Sequence, residues 1–292
     1  MKRLFAALMA ALFLWNISGC QIRQTEEKPC LRVVTSFYPM YIMTLNITNG
    51  VDGVQVDNMA GQQAGCLHDY QLQSKDMKNI EQADVFVING AGMESFMDKV
   101  TAQVPDLRIV EASAGVTLLE EDGETNPHVW VSITNYIQQV QNIANGLILA
   151  DPEHAPQYQK NADGYIGKLE ALRDKMHAEL DSVKNRDIIT FHEAFPYFAQ
   201  EFSLNIVKVI NREPDSQPSA RELAETIRLI RDTDVKAIFA EPQYPASAAN
   251  IVAKESGIQV YTLDPGVTGK NDLDAYLTAM EQNLQVLKTA LN

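Results

Sequence analysis

Short apolar runs separated by polar, helix-periodic stretches set the framework of this chain. The runs "LRVVTS" (31–36), "VQVD" (54–57), "DVFVIN" (84–89) and "LRIV" (107–110) are rich in β-branched residues and of strand length, and "IITF" (188–191), "IVKVI" (206–210), "KAIFA" (236–240) and "IQVYT" (258–262) repeat the rhythm. Strand-like runs alternating with helical patterns imply parallel βαβ units. The expected fold class is therefore α/β, with two similar lobes built on parallel sheets, residues 30–152 and 186–292.

A different pattern separates the two sets. Tyr158, Ala162, Tyr165, Leu169, Leu172, Met176, Leu180 and Val183 recur at steps of three and four, the apolar stripe of one amphipathic helix. No proline follows Pro156 in this segment, and some 28 residues at 1.5 Å each span roughly 42 Å, enough to cross a small domain. Residues 153–185 are read as one rigid linking helix; a break into two helices near "DGY" (163–165) is the alternative. Further on, Ser219 and Glu222 stand in capping-box spacing before an apolar-periodic run. The last segment carries a stripe at Leu273, Leu277, Met280, Leu284 and Leu287.

The N-terminus departs from both patterns. Lys2 and Arg3 precede the apolar stretch "LFAALMAALFLW", which is short for a bilayer span and reads as a signal peptide over residues 1–19. The small residues of "ISGC" (17–20) resemble the lipobox of bacterial lipoproteins, which makes Cys20 the expected lipid-attachment site and 20–29 a polar tether. An exported protein, anchored to the cell membrane by its N-terminal lipid and facing the periplasm or cell exterior, is the expectation. The remaining cysteines, Cys30 and Cys66, would then lie where a disulfide is permitted; their pairing is left open.

Composition narrows the function classes. The 292 residues are 46% hydrophobic and 21% charged, enough for a substantial core. The net charge of −14 offers no basic footprint for a phosphate backbone, so nucleic acid is not an expected partner.

Only five histidines are present. His154 and His177 sit among polar neighbours on the linking helix and read as solvated. His68 in "GCLHDYQ", His128 in "TNPHVWVS" and His192 in "TFHEAF" instead lie where strands give way to loops or helices, each near an aromatic residue. His192 and Asp264, in "YTLDPG", fall at the carboxyl ends of their strands, where open α/β sheets bind ligands. These four residues are about 60 to 70 positions apart, so they form no local zinc motif. Taken singly, each strand-end histidine reads as well as a hydrogen-bonded structural residue.

Longer stretches carry more information. "FHEAFPYFAQEFSL", "REPDSQPSARELAETIRLIRDTDVKAIFAEPQYP" and "YTLDPG", with "NPHVW" and "ADVFVINGAGMESFMDKV", resemble the metal-binding lipoproteins of bacterial zinc and manganese ABC importers, the ZnuA/TroA-like family. The resemblance covers about 31–290 in matching order. It implies two α/β lobes joined by a long helix, one divalent metal in the cleft, and a membrane-embedded ABC permease as partner of a monomeric carrier. Position by position, it implies His68, His128, His192 and Asp264 as metal ligands. Near His68 the chain departs from the family, with Cys-Leu before the histidine where Asp-Pro is frequent, and Cys66 stands two residues upstream.

Three imidazoles and one carboxylate suit Zn²⁺ in four-coordinate geometry, with Mn²⁺ the alternative cargo. Four protein ligands fill the shell, which favours carriage over catalysis, so no enzyme activity is expected; a zinc hydrolase with Asp264 or Glu241 as general base is the competing reading. Glu241 itself, in "FAEPQYP", reads as a carboxylate backing a ligand more readily than as a ligand. The acidic stretch "LLEEDGETNPH" contains no histidine before His128 and reads as a solvated loop. An adhesin reading has no sequence signature.

Overall fold

The computed structural model describes residues 31–61, 67, 70–121, 123–210, 219–233, 235–243 and 247–292. Cys20, Cys30, Cys66 and His68 lie outside the described residues.

The first lobe is built on β1 (Leu31–Thr35), α1 (Tyr38–Thr48), β2 (Val54–Asn58), α2 (Ser74–Ile80), β3 (Val85–Ile88), α3 (Met97–Gln103) and β4 (Arg108–Glu111). Its four strands are parallel in the order β2-β1-β3-β4. The β3 residues are all buried, as a strand covered on both faces requires. A small hairpin follows, β5 (Glu120–Glu121) with β6 (Glu124–Thr125), in the stretch expected to be loop.

Two long helices then form the spine. A helical turn at Val129–Val131 leads into α4 (Ile133–Ala150), whose first turn is capped by the Ser132 hydroxyl accepting from Asn135 N. After Pro152–His154 the chain enters α5 (Ala155–Leu180), unbroken through 163–165. Tyr158, Ala162, Tyr165, Leu169, Leu172, Met176 and Leu180 are all buried, the face the periodicity marks.

The second lobe comprises β7 (Asp187–Thr190), α6 (Pro196–Glu201), β8 (Asn205–Val209), α7 (Ala220–Asp232), β9 (Ala237–Ala240), α8 (Ser247–Ser256), β10 (Gln259–Thr262) and α9 (Ala275–Leu291). Its strands are again parallel, ordered β10-β9-β7-β8. Read from the other edge, this is the order of the first sheet: second strand, first, third, fourth. The capping box at α7 is present, with Ser219 N donating to Glu222 Oε2 and Glu222 N to Ser219 Oγ.

One apolar core runs through both lobes, from Val33 and Phe86 through Tyr136 and Leu169 to Phe239 and Leu263. Tyr136 stacks on Tyr276 with ring centroids 3.6 Å apart, which joins α4 to α9 at its centre. The far face of the second sheet has a smaller core of Ile189, Ile210, Ile230, Val235, Ile238 and Val252. Outside, α5 is laced to α9 and its N-cap by Lys168–Asp274, Lys175–Glu281 and the half-buried Lys288–Glu179, surface pairs of small individual worth. Among the described residues no helix is long and apolar enough to cross a membrane.

Candidate metal centre

Each sheet reverses its strand order beside its first strand, and ligand crevices form at the carboxyl ends of the strands flanking such a switch. In the second lobe the switch lies between β7 and β9. His192 follows β7 by two residues and Glu241 follows β9 directly. Both are buried, at 3% and 4% exposure. His192 Nδ1 lies 2.8 Å from Glu241 Oε1. With the carboxylate oxygen as acceptor, Nδ1 is the donor of this bond and Nε2 is the ring's other nitrogen.

His128 comes from the first lobe, just before the turn that opens α4, and is fully buried. Its tautomer follows from its neighbour. Asn126 Oδ1 accepts from the His128 backbone N at 3.0 Å and contacts His128 Nδ1 at 2.9 Å, while Asn126 Nδ2 donates to Glu193 O at 3.0 Å. Those partners fix which amide atom is oxygen, so Nδ1 must be the donor and Nε2 holds the lone pair.

The two rings meet edge to face with centroids 4.8 Å apart. Two imidazoles bound through Nε2 to one tetrahedral zinc at 2.0–2.1 Å would place their centroids roughly 5 Å apart. The observed ring separation is compatible with both imidazoles serving one ion. Each ring's other nitrogen is tied to an oxygen acceptor, the outer support that metal-binding histidines usually have.

Asp264 lies at the end of β10 in a loop held from three sides. Asn283 on α9 accepts from Asp264 N and donates to Asp264 O, Gly266 N donates to Asp264 Oδ1 at 2.8 Å, and Trp130 Nε1 donates to Pro265 O at 2.9 Å. Gln243 Nε2 also donates to Asp264 Oδ1, at 3.2 Å. The carboxylate lines a cavity of about 380 Å³ together with Tyr38, Thr268 and Asp272. Burial, then the nearby Asp264 and Asp272 carboxylates, push the Tyr38 hydroxyl up to about 12. Among the described residues no three His, Cys, Asp or Glu side chains are gathered closely enough to hold a metal ion. The structure pairs His128 with His192 and His192 with Glu241; Asp264 stands in the loop after β10, and His68 lies outside the described residues.

The other two histidines are structural, though less solvated than their neighbours in sequence suggest. His154 Nδ1 is 2.7 Å from Asp151 Oδ2, which also accepts from Tyr158 OH. The His177 ring lies against Phe202 at 4.9 Å. The acidic hairpin is exposed at Glu120 and Glu124 and is pinned at its base by Tyr197, which accepts from Leu119 N and donates to Asn126 O. Sequence reasoning weighed Glu241 as a supporting carboxylate but passed over Asn126, whose signal was its place two residues before His128.

Two parallel-sheet lobes thus share a helical spine, with a pair of oriented histidines where they meet. The chain belongs to the family described as "Zinc-uptake complex component A periplasmic", whose model matches residues 33–290. It is 31% identical to the zinc-binding lipoprotein AdcA of Streptococcus pneumoniae serotype 4, over 99% of this chain and 61% of that protein. It is also 31% identical to the high-affinity zinc uptake system protein ZnuA of Bacillus subtilis strain 168, over 89% of this chain and 88% of that one. The chain thus spans about three fifths of the length of the AdcA relatives. Among solved structures it resembles the SBP FpvC from Pseudomonas aeruginosa in complex with Mn²⁺, with a TM-score of 0.80, 32% identity, and coverage of 89% of this chain and 98% of that one.

Proposed function

We propose that this protein captures a divalent metal ion, zinc foremost, outside the cytoplasmic membrane and passes it to a membrane-embedded ABC permease. The observation that carries the reading is the 4.8 Å pairing of His128 and His192, one from each lobe, with both Nδ1 atoms held by oxygen acceptors. His68 and Asp264 complete the proposed ligand set. Three neutral imidazoles and a carboxylate favour Zn²⁺, and four protein ligands hold the ion as cargo rather than expose it to a substrate. The printed names of the AdcA and ZnuA relatives support zinc, and the Mn²⁺ bound to FpvC supports manganese as the alternative.

Cys20 is the proposed lipid anchor, in keeping with the lipoprotein name of the AdcA relative. Cys20→Ala is expected to release the protein from membranes into the soluble fraction.

Competition between the purified full-length chain and a chelator of known zinc affinity tests the site. His128→Ala and His192→Ala should each weaken zinc binding on the order of 100-fold or more, beyond the 10- to 100-fold typical of outer supports. His154→Ala and His177→Ala should leave it unchanged. Equal effects from all four would overturn the assignment.

A further inference from the structure

The first lobe also buries a carboxylate at its strand switch, between β1 and β3. Glu94 is 5% exposed and belongs to none of the proposed ligand set. Its Oε1 accepts from Ser36 Oγ at 2.7 Å and from Asn89 N at 2.8 Å, and its Oε2 accepts from Gly90 N at 3.0 Å. Ser36 directly follows β1 and Asn89 directly follows β3, so one side chain ties the two strand ends together.

The turn it holds is costly to form. Gly90, Ala91 and Gly92 have φ of 79°, 52° and 85° in succession. A left-handed conformation is unfavourable for a residue with a Cβ, so the Ala91 turn persists because its surroundings impose it. The Glu94 carboxylate, accepting from two consecutive backbone N–H groups at the head of this turn, is the imposing group.

What the turn presents is the Asn89 side chain, fully buried. Asn89 Oδ1 accepts from Gln139 Nε2 on α4 at 2.9 Å, and Asn89 Nδ2 donates to Gly90 O and, at 3.0 Å, to Pro127 O. The Pro127 carbonyl belongs to the peptide that leads into His128. That peptide is therefore gripped on both edges, its oxygen by Asn89 and its N–H by Asn126.

We infer that the buried cluster of Ser36, Glu94, Asn89 and Gln139 is a positioning device for His128, fixing the Pro127–His128 peptide so that the imidazole meets its partner from the second lobe. The inference rests on the proposed role of His128 in metal capture. The two lobes then share a plan: Glu241 steadies His192 by direct contact, and Glu94 steadies His128 through Asn89 and a backbone carbonyl.

Two variants of the purified full-length chain test this, with Zn²⁺ and Co²⁺ as probes. Glu94→Gln places an amide N–H₂ against a backbone N–H, and Gln139→Met removes the donor to Asn89 at similar volume. Zinc affinity should fall about 10- to 100-fold in Glu94→Gln, the range for outer supports of a metal site. Gln139→Met should give a smaller fall. In both, the visible absorption of bound Co²⁺, which reports ligand geometry, should shift from that of the parent. A purely structural role would lower the melting temperature and leave the cobalt spectrum in place. Folded variants with parental affinity and spectrum would overturn the inference; if Glu94→Gln fails to fold, Gln139→Met decides by the same criteria. His128→Ala, measured alongside, separates the two levels. Unchanged binding there overturns the site itself, whereas loss there with parental binding in both cluster variants overturns only the positioning role.

Discussion

Asn126 offers a single carbonyl oxygen to both nitrogens on the near side of His128, the backbone N at 3.0 Å and the ring Nδ1 at 2.9 Å. The same side chain donates across the lobe junction to Glu193 O. Asn126→Ala removes the group that sets the His128 tautomer and one of the bonds joining the lobes. Zinc affinity in this variant is expected to fall about 10- to 100-fold. Chelator competition checks it, and parental affinity would show that the His128 ring is oriented by something else.

Burial pushes Glu94 up to about 7 from its ordinary 4.5, although the Ser36, Asn89 and Gly90 donors all favour the ionised form. The sign follows from linkage. Between pH 4.5 and 7 the unfolded chain releases this proton while the folded chain keeps it, so the contribution to stability is complete below pH 4.5 and declines as pH rises to 7. The decline is at most about 3 kcal/mol. Urea unfolding of the metal-free protein at pH 5 and pH 7 should show the parent losing stability relative to Glu94→Gln, and parallel behaviour of the two would refute the assignment.

Leu169 is fully buried at the middle of the α5 stripe, whereas Leu149 on α4 is 72% exposed. Leu169→Ala should destabilise the fold by about 2–5 kcal/mol through lost burial and a residual cavity. Leu149→Ala should change it by no more than about 0.5 kcal/mol. Thermal or chemical denaturation of the two variants distinguishes them directly.

His192→Glu replaces an imidazole with a harder oxygen donor and sets a second carboxylate against Glu241. The preference for Zn²⁺ over Mn²⁺ should narrow, since carboxylate-rich shells suit harder ions. Paired titrations of the two metals measure it. A variant as selective as the parent would mean that position 192 does not control cargo choice.

The strands were readable because each is a β-branched run between polar segments; all eight strands of the two large sheets lie within about one residue of their sequence runs, inside the usual boundary scatter. The α5 stripe was equally plain, since seven of its residues repeat at helical spacing and all seven are buried. The β5–β6 hairpin was not foreseeable from pattern: its strands are two residues long, and glutamate is a poor strand former. Glu94 was hidden for a similar reason. A single acid in "GAGMESF" looks like surface, and only the fold reveals two backbone N–H groups and a hydroxyl turned toward it. His154 and His177 read as solvated in sequence because neither the turn that sets Asp151 against His154 nor the packing that brings the Phe202 ring to His177 is visible there.

The apolar core that continues from one lobe into the other has a consequence for timing. Prising the halves apart would expose that core at roughly 25 cal/mol per Å², so even 400 Å² of newly wetted surface would cost about 10 kcal/mol. A state so uphill is visited too rarely to serve as the ordinary route for an ion. Entry and departure of the proposed cargo would then fall to the short segments around Asn126, His192 and Asp264 rather than to the spine. For the proposed cargo, residence time would then follow the motion of these segments, and the proposed membrane partner would unload it by displacing them rather than by opening the body of the protein.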